Sequence, residues 1–144
     1  MINIKLIIDN TVIDNYNKYY FTSHPRARKK QIEKPHHPSI NQWCILPRIQ
    51  MNSLKQKWKN FGIWWINELG YSNTGLKNFN ITITVYFDTK RRHDVDNQVP
   101  KFLLDAFTES GFIIDDDESH LHSLTLKTDY DKQNPRTEIE INTL

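Results

Sequence analysis

Residues 79–117 read FNITITVYFDTKRRHDVDNQVPKFLLDAFTESGFIIDDD, and they carry the strongest structural signals in the chain. The first nine of them alternate apolar and polar side chains, which is the period of a β-strand with one buried face. Residues 98–110 then place apolar side chains at helical spacing, and Gly111 ends that segment. A short apolar run leads into an acidic turn. The stretch predicts a strand, a helix and a carboxylate-rich turn in succession.

The segments before this stretch show two further patterns. Residues 2–8 alternate apolar and polar side chains and predict a strand, and the aromatic-rich residues 11–22 are expected to be extended. Residues 52–69 repeat apolar side chains at spacings of three and four, which predicts a helix. Asn52 or Ser53 could cap this helix, and a glycine follows its last residue.

Two more strands are expected after the acidic turn, over about residues 120–128 and 136–142. In the second, residues 138–141 read Glu-Ile-Glu-Ile, with the isoleucines expected inward and the glutamates outward. The order of elements predicts an α/β (α+β) fold, a single domain with a small mixed β-sheet packed with two main helices.

Length and composition exclude several classes of protein. The chain has 144 residues, the size of one domain, and 38% hydrophobic with 25% charged residues is not the composition of a disordered or coiled-coil chain. The single cysteine, Cys44, cannot form an internal disulfide. No apolar run is long enough to span a membrane, and the N-terminus is interpreted as a strand instead of a signal peptide. The expected location is the cytoplasm.

Charge is unevenly distributed along the chain. Residues 94–118 contain eight acidic side chains and one basic side chain, a net charge of −7, and the rest of the chain carries +9. A basic body around an acidic island suits an enzyme that cuts a polyanion, because the body attracts phosphate and the island can hold a metal ion. The alternative is an ordinary solvated surface with one acidic loop.

The acidic island contains a candidate metal site. Asp94 and Asp96 are two residues apart, so extended backbone would point both carboxylates to one side, and Asp116 could supply a third. Two carboxylates 4 Å apart repel by about 4 kcal/mol at an effective dielectric of 20, which a cation such as Mg²⁺ would relieve. The alternatives are a helix N-cap, for which Asn97 is equally suited, and a solvated turn.

A series of short motifs follows the strand at residues 79–87. They read Arg91-Arg-His-Asp94-Val-Asp96-Asn97-Gln-Val-Pro-Lys101, then Asp105-Ala-Phe107, then Gly111-Phe-Ile-Ile-Asp115-Asp116. This combination resembles the RusA family of Holliday-junction resolvases, small endodeoxyribonucleases common in bacteriophages and prophages. Upstream, IEKPHHPSIN at residues 32–41 is similar to the opening strand and P-S-x-N loop of that family. The resemblance covers about residues 30–142.

The resemblance implies a function and a set of site residues. It implies metal ligands at Asp94, Asp96 and Asp116, a catalytic lysine at Lys101, and dependence on Mg²⁺, with Mn²⁺ as an alternative. It implies a homodimer that makes paired symmetric nicks in a four-way (Holliday) DNA junction by phosphodiester hydrolysis. A membrane partner and a small-molecule cofactor are not expected.

The sequence departs from the family pattern in three places. His93 stands where a basic or small residue is common just before the first aspartate. The usual spacing is D-x-D-N-x-x-K, and here one extra residue precedes Lys101, which would rotate it by about 100° around a regular helix. Either Pro100 bends the first turn to compensate, or the lysine has lost the family role. Residues 1–29 have no counterpart in the family pattern. They are predicted to form an N-terminal extension, a strand plus a basic arm, ahead of a RusA-like endonuclease domain at residues 30–144.

The sequence also suggests residues that contact DNA and leaves three alternative functions open. The candidate DNA-binding residues flank the acidic island or lie in the basic arm; they are Arg91, Arg92, His93, Asn97, Lys29 and Lys30. The rivals are a metal enzyme acting on nucleotides or sugar nucleotides, a catalytically weak or silent branched-DNA-binding protein, and a nuclease for other branched DNA. The first rival lacks a Gly-rich phosphate loop to support it.

Overall fold

The computed structural model describes residues 2–144, so Met1, the first residue of the predicted N-terminal extension, lies outside the described residues. Strands and helices follow one another as β1 (Asn3–Asp9), α1 (Asn10–Ser23), α2 (Ile40–Cys44), α3 (Arg48–Glu68), β2 (Phe79–Phe87), α4 (Lys101–Glu109), β3 (Leu121–Tyr130) and β4 (Arg136–Thr143). A 3₁₀ turn at Val95–Asn97 precedes α4. These elements form a single small mixed α/β domain, as the sequence predicts.

The four strands form one sheet in the order β1-β4-β2-β3. β4 is antiparallel to both β1 and β2, whereas β3 runs parallel to β2. A parallel pair needs a crossover connection, so residues 88–120 leave the end of β2 and return to the beginning of β3. β1 pairs along its whole length with β4, so residues before 30 contribute to this sheet. The predicted boundary after residue 29 stays a prediction.

One face of the sheet is covered by helices. The alternation of β2 buries every second side chain from Phe79 to Val85, and β4 buries Ile139 and Ile141 beside them. Aromatic side chains of the helices fill the space above this face; they are Tyr16, Trp58, Phe61, Trp65, Phe102 and Phe107. Burial of this apolar surface is the main source of stability, at roughly 25 cal/mol per Å².

The helix α1 corrects the prediction that residues 11–22 are extended. Asp9 ends β1 and caps the helix, because its carboxylate accepts the Val12 backbone N–H at 3.0 Å. Tyr16 then packs edge-on against Phe61 of α3, with ring centroids 5.2 Å apart. The aromatic residues suggested a strand, but the cap and the packing against α3 favour a helix. The fold therefore has three helices longer than eight residues, and the sequence predicted two.

The helix α3 is longer than predicted. It begins at Arg48, after Pro47, so neither Asn52 nor Ser53 caps it as expected. Its end agrees with the prediction, because Gly70 adopts a φ of 80°, a left-handed conformation that favours glycine.

The outer face of the sheet carries a salt-bridge cluster. Glu138 points outward, as predicted, yet it is 8% exposed. Lys5 and Arg136 cover it, with nitrogen–oxygen distances of 3.0 and 2.5 Å. Burial opposes the ionised carboxylate of Glu138, but the two cations outweigh this effect and lower its pKa. Within residues 2–144, no helix has the length and apolar character that a membrane span requires.

The packing of α3 against α4 depends on Gly62. A Cβ atom added at Gly62 would lie 2.6 Å from the Cβ of Ala106, closer than two carbon atoms can approach. The glycine therefore lets α4 lie directly on α3.

We expect Gly62→Ala to lower the free energy of unfolding. Overpacking costs about 1–3 kcal/mol, which outweighs the gain in helix propensity of about 1 kcal/mol. Urea unfolding followed by tryptophan fluorescence measures the change. The double variant with Ala106→Gly should recover part of the loss, since it removes the atom that clashes. A single Gly62→Ala variant more stable than the natural chain would contradict the close approach.

Candidate functional site

The four residues predicted for catalysis all lie in the crossover between β2 and β3. Asp94 and Asp96 follow the basic loop after β2, Lys101 begins α4, and Asp116 lies in the turn before β3. Because one connection carries all four, its path from β2 to β3 sets their positions.

The basic loop after β2 is anchored by His93. The imidazole stacks on Phe87, with ring centroids 3.6 Å apart and 3° between the planes. The Thr89 hydroxyl lies 3.4 Å from its Nε2 atom. Arg91 and Arg92 are exposed on the same loop. One face of the His93 ring is therefore covered by Phe87. The contact of His93 with DNA stays a prediction.

The two carboxylates of the D-x-D motif lie at the 3₁₀ turn. Asp94 is extended and precedes the turn, whereas Asp96 is within Val95–Asn97. The expectation of extended backbone through both residues is therefore wrong, because Asp96 lies within the 3₁₀ turn. Both aspartates are exposed, and Arg92 Nε lies 3.2 Å from Asp94 Oδ1.

Asn97 connects the 3₁₀ turn to α2. Its side-chain oxygen accepts the Asn41 backbone N–H at 3.0 Å. Ser39 Oγ accepts the Gln42 N–H at 3.1 Å, so two acceptors satisfy the beginning of α2. None of the three residues proposed as a cap for α4 has that role, because Pro100 occupies the N-cap position there without a side-chain bond. The assignment of Asn97 to DNA binding stays a prediction.

A chain of hydrogen bonds fixes the residue after Asn97. Gln98 Nε2 donates to the Lys127 carbonyl of β3 at 3.2 Å, so its Oε1 faces His37 and accepts from His37 Nε2 at 3.1 Å. The Val99 backbone N–H donates to the Pro38 carbonyl at 3.0 Å. We call these three contacts the 37–99 clamp. They join the loop before α2, the site segment and β3.

Burial controls the protonation of His37. Its ring is buried, and Nδ1 has no hydrogen-bond partner within residues 2–144. Burial lowers the pKa of His37 to about 4, although the bond to Gln98 partly opposes this shift. The ring is therefore neutral at pH 7, with its proton on Nε2, the atom that donates to Gln98.

The extra residue before Lys101 is accommodated outside the helix. Gln98 is extended, with φ −93° and ψ 145°, and α4 begins only at Lys101. The expected rotation of 100° around a helix does not arise, because the additional residue lies in the extended link. The predicted helix at residues 98–110 is correspondingly shorter at its beginning.

Lys101 lies among carboxylates. Its Nζ atom is 3.5 Å from Asp105 Oδ1, one helical turn along α4. Partial burial raises the pKa of Asp116, the carboxyl groups of Asp115 and Asp105 raise it further, and the charge of Lys101 opposes them. The structure thus brings Lys101, Asp105, Asp115 and Asp116 into one electrostatic cluster, which we call the Lys101 cluster.

The remainder of the acidic turn has a local role. Asp117 Oδ1 lies 2.6 Å from His120 Nδ1 and accepts the Ser119 N–H at 3.2 Å. The hydrogen bond to His120 lowers the pKa of the exposed Asp117 carboxyl. His122 contacts Asn78 instead, at 3.0 Å, so the two histidines have separate partners.

The donors fit a hard cation in chemical type. Carboxylate oxygens are the ligands that Mg²⁺ and Mn²⁺ prefer, and a cation would favour the ionised form of Asp116, whose pKa partial burial raises. Among residues 2–144, however, no three His, Cys, Asp or Glu side chains are grouped closely enough to hold a metal ion. The assignment of Asp94, Asp96 and Asp116 as its ligands stays a prediction.

The candidate phosphate contacts lie on two segments. Arg91 and Arg92 adjoin Asp94 on the loop after β2, whereas Lys29 and Lys30 are exposed on the connection between α1 and α2. Asn17 of α1 fixes the middle of that connection, since its oxygen accepts the Ile32 N–H at 3.2 Å.

Comparison with known families gives the decisive observation. A family model described as Endodeoxyribonuclease RusA matches residues 9–142, nearly the whole chain. The chain belongs to the RusA endodeoxyribonuclease family. RusA nucleases resolve Holliday junctions and are generally dependent on divalent metal ions. No curated protein matches the chain.

Sequence reasoning missed the 37–99 clamp of this RusA protein. His37 and Gln98 are 61 residues apart, and neither has a local signal that names its partner. The one available sign was the P-S-x-N loop, because Pro38 and Ser39 belong to that motif and contact the segment that follows Asp96.

We expect acid to destabilise this RusA fold through His37. Its pKa is about 4 in the folded chain and about 6.5 when unfolded, so the unfolded state binds more protons between these values. The contribution, up to about 3 kcal/mol, is present above pH 6.5 and is lost as the pH falls towards 4. Urea unfolding at several pH values tests this.

The variant His37→Gln should show a shallower loss of stability with acid, since Gln does not titrate. His122→Gln, at an exposed position on β3, serves as the matched control and should keep the steep dependence. Equal pH dependence in His37→Gln and the natural chain would mean that His37 is not buried as a neutral ring.

Proposed function

We propose that this protein is a metal-dependent endonuclease that resolves four-way DNA junctions by paired symmetric nicks. The family match over residues 9–142 carries the proposal, because it assigns endodeoxyribonuclease activity to nearly the whole chain. The Lys101 cluster supports it, since a cation beside clustered carboxylates suits hydrolysis of a phosphodiester.

Asp94, Asp96 and Asp116 would hold the divalent ion, Mg²⁺ or Mn²⁺. Such an ion supplies a Lewis acid that polarises a phosphoryl oxygen. Lys101, at the first position of α4, would stabilise the negative charge that develops on the reacting phosphate. Arg91 and Arg92, exposed beside Asp94, would hold the flanking phosphates. Lys29 and Lys30 would extend this contact along an arm of the junction.

A homodimer follows from the symmetry of the substrate. A four-way junction has approximate two-fold symmetry and is resolved by two cuts, whereas each chain supplies one site. A C₂ dimer places two sites about one axis. We propose that it acts in the cytoplasm of a bacterium and is encoded by a phage or prophage.

A second candidate function is junction binding without efficient cleavage. It is favoured by the contact of Arg92 with Asp94, which occupies one proposed metal ligand, and by the exposure of Asp96. A labelled mobile junction and a linear duplex of the same sequence, each with Mg²⁺ and with chelator, separate the candidates. Metal-dependent symmetric nicks in the junction alone support resolution. Binding without nicks in Mg²⁺ or Mn²⁺ supports the second candidate.

We expect Asp96→Asn to reduce junction cleavage about a hundred-fold or more while junction binding is retained, because the amide removes a ligand charge but little volume. Cleavage rates and gel-shift affinity measure the two effects. Asp14→Asn, an exposed acidic position on α1, is the control and should cut normally. Normal cutting by Asp96→Asn would reject the metal assignment.

We expect Lys101→Ala to lower the cleavage rate by about 10²–10³-fold, the typical cost of removing one group that stabilises the transition state. Lys101→Arg should retain part of the rate, because the charge remains. The exposed Lys132 offers a matched control, with Lys132→Ala expected to leave the rate unchanged. If Lys101→Ala cuts at a rate near that of the natural chain, a residue other than Lys101 supplies the catalytic positive charge.

A further inference from the structure

A groove of about 530 Å³ adjoins the Lys101 cluster, between α2, the beginning of α4 and the edge strand β3. Its volume lies within the range of ligand pockets, about 300–1,000 Å³. Apolar side chains supply most of its walls, together with two groups of the proposed site. The lining residues used in the argument are Trp43, Val99, Leu104, Leu124, Lys101 and Asp116.

The walls of the groove combine core side chains with partly exposed ones. Leu104 is buried in the core, whereas Val99 is partly buried against it. Leu124 is 39% exposed on β3, the strand at one edge of the sheet. Trp43 is half-buried and packs edge-on against Phe102, with centroids 5.5 Å apart. Its indole N–H donates to the Met51 carbonyl at 3.3 Å, so the polar atom of the ring is already satisfied. The groove therefore offers an apolar, partly aromatic surface to a ligand.

The position of Lys101 and Asp116 in the same groove indicates the occupant. Both must be reached by a DNA phosphate if they take part in cleavage. A second copy of the chain seated in the groove would cover them. A DNA strand whose phosphate reaches Lys101 also brings the neighbouring nucleobase, which is the apolar part of the ligand. The negative charge of the phosphate complements the positive charge of Lys101.

We propose that the groove is a binding site for an unpaired nucleobase that flanks the cleaved phosphate. The proposal rests on the proposed function and adds a base-binding site to it. The base would pack against Trp43, Val99 and Leu124 while Lys101 contacts its phosphate. Junction centres suit such a site, because bases there are already loosely stacked and extrusion costs least for unpaired bases.

The groove would bind the base by packing and not by reading its edge. Gln98, the amide in the lining, has its oxygen bonded to His37 and its nitrogen bonded to the Lys127 carbonyl. Stacking and apolar contact accept every base, and each stacked base contributes about 1–3 kcal/mol, a factor of about 5–150 in affinity. We therefore expect a requirement for a base with weak preference among bases.

The test combines a groove variant with substrates that lack one base. Leu124→Thr removes part of the apolar wall and introduces a β-branched residue, a type that suits a strand. Ile7→Thr is the matched control, since Ile7 is 40% exposed on β1, the opposite edge of the sheet. The nick is mapped first, and the nucleotide on each side of it is then replaced in turn by an abasic one.

For the natural chain and Ile7→Thr, we expect one abasic position to lower the cleavage rate at least five-fold. For Leu124→Thr, the intact junction should be cut at least five-fold more slowly, with little further loss at the abasic position. Equal abasic penalties in Leu124→Thr and Ile7→Thr would overturn the proposal. So would a Leu124→Thr chain that loses dimerisation in sedimentation, because the groove would then contain a second copy.

A binding measurement in chelator separates this proposal from the proposed function. The probe is a junction with 2-aminopurine beside the mapped position, whose fluorescence changes when the base leaves the stack. We expect a change with the natural chain and Ile7→Thr and a much smaller one with Leu124→Thr. If the fluorescence change is the same for all three proteins, the groove proposal is rejected and the proposed function is not affected. A natural chain that neither binds nor cuts any junction overturns the proposed function, and the groove proposal with it.

Discussion

The parallel pairing of β2 with β3 is the constraint on which the rest of the structure depends. Parallel neighbours cannot be joined by a tight turn, so residues 88–120 must travel the length of the sheet before β3 can begin. The 3₁₀ turn, α4 and the acidic turn are all parts of that return path. The site residues all lie in this one crossover and therefore move together, because the strands at both ends of the crossover are fixed in register.

Two sets of contacts hold this crossover against the rest of the domain. Gly62 lets α4, the helix that begins with Lys101, lie directly on α3. The 37–99 clamp holds the residues just before this helix, through His37 and Gln98 and the backbone bond from Val99. The clamp depends on a buried, neutral His37, because a charged ring would lose more solvation free energy on burial than one hydrogen bond returns.

The local predictions failed where a local signal competed with packing. The aromatic residues after β1 are typical of strands. Asp9 nevertheless caps a helix there, and Tyr16 packs against Phe61 of α3. The D-x-D motif suggested extended backbone, but Asn97 turns towards Asn41, and the chain forms a 3₁₀ turn. Each failure involves a partner more than 40 residues away, which no short window of sequence contains.

The sequence by itself determined β2, the body of α3 and the glycines that end α3 and α4, because apolar period and backbone freedom are properties of neighbouring residues. Its motifs also determined the family and which residue types stand at the candidate site. Only the tertiary structure decided that β2 lies between β3 and β4, that the charge of Lys101 acts on Asp116, and that Gln98 reaches Lys127. These are contacts across the fold, and their free energy exists only once distant segments pack together.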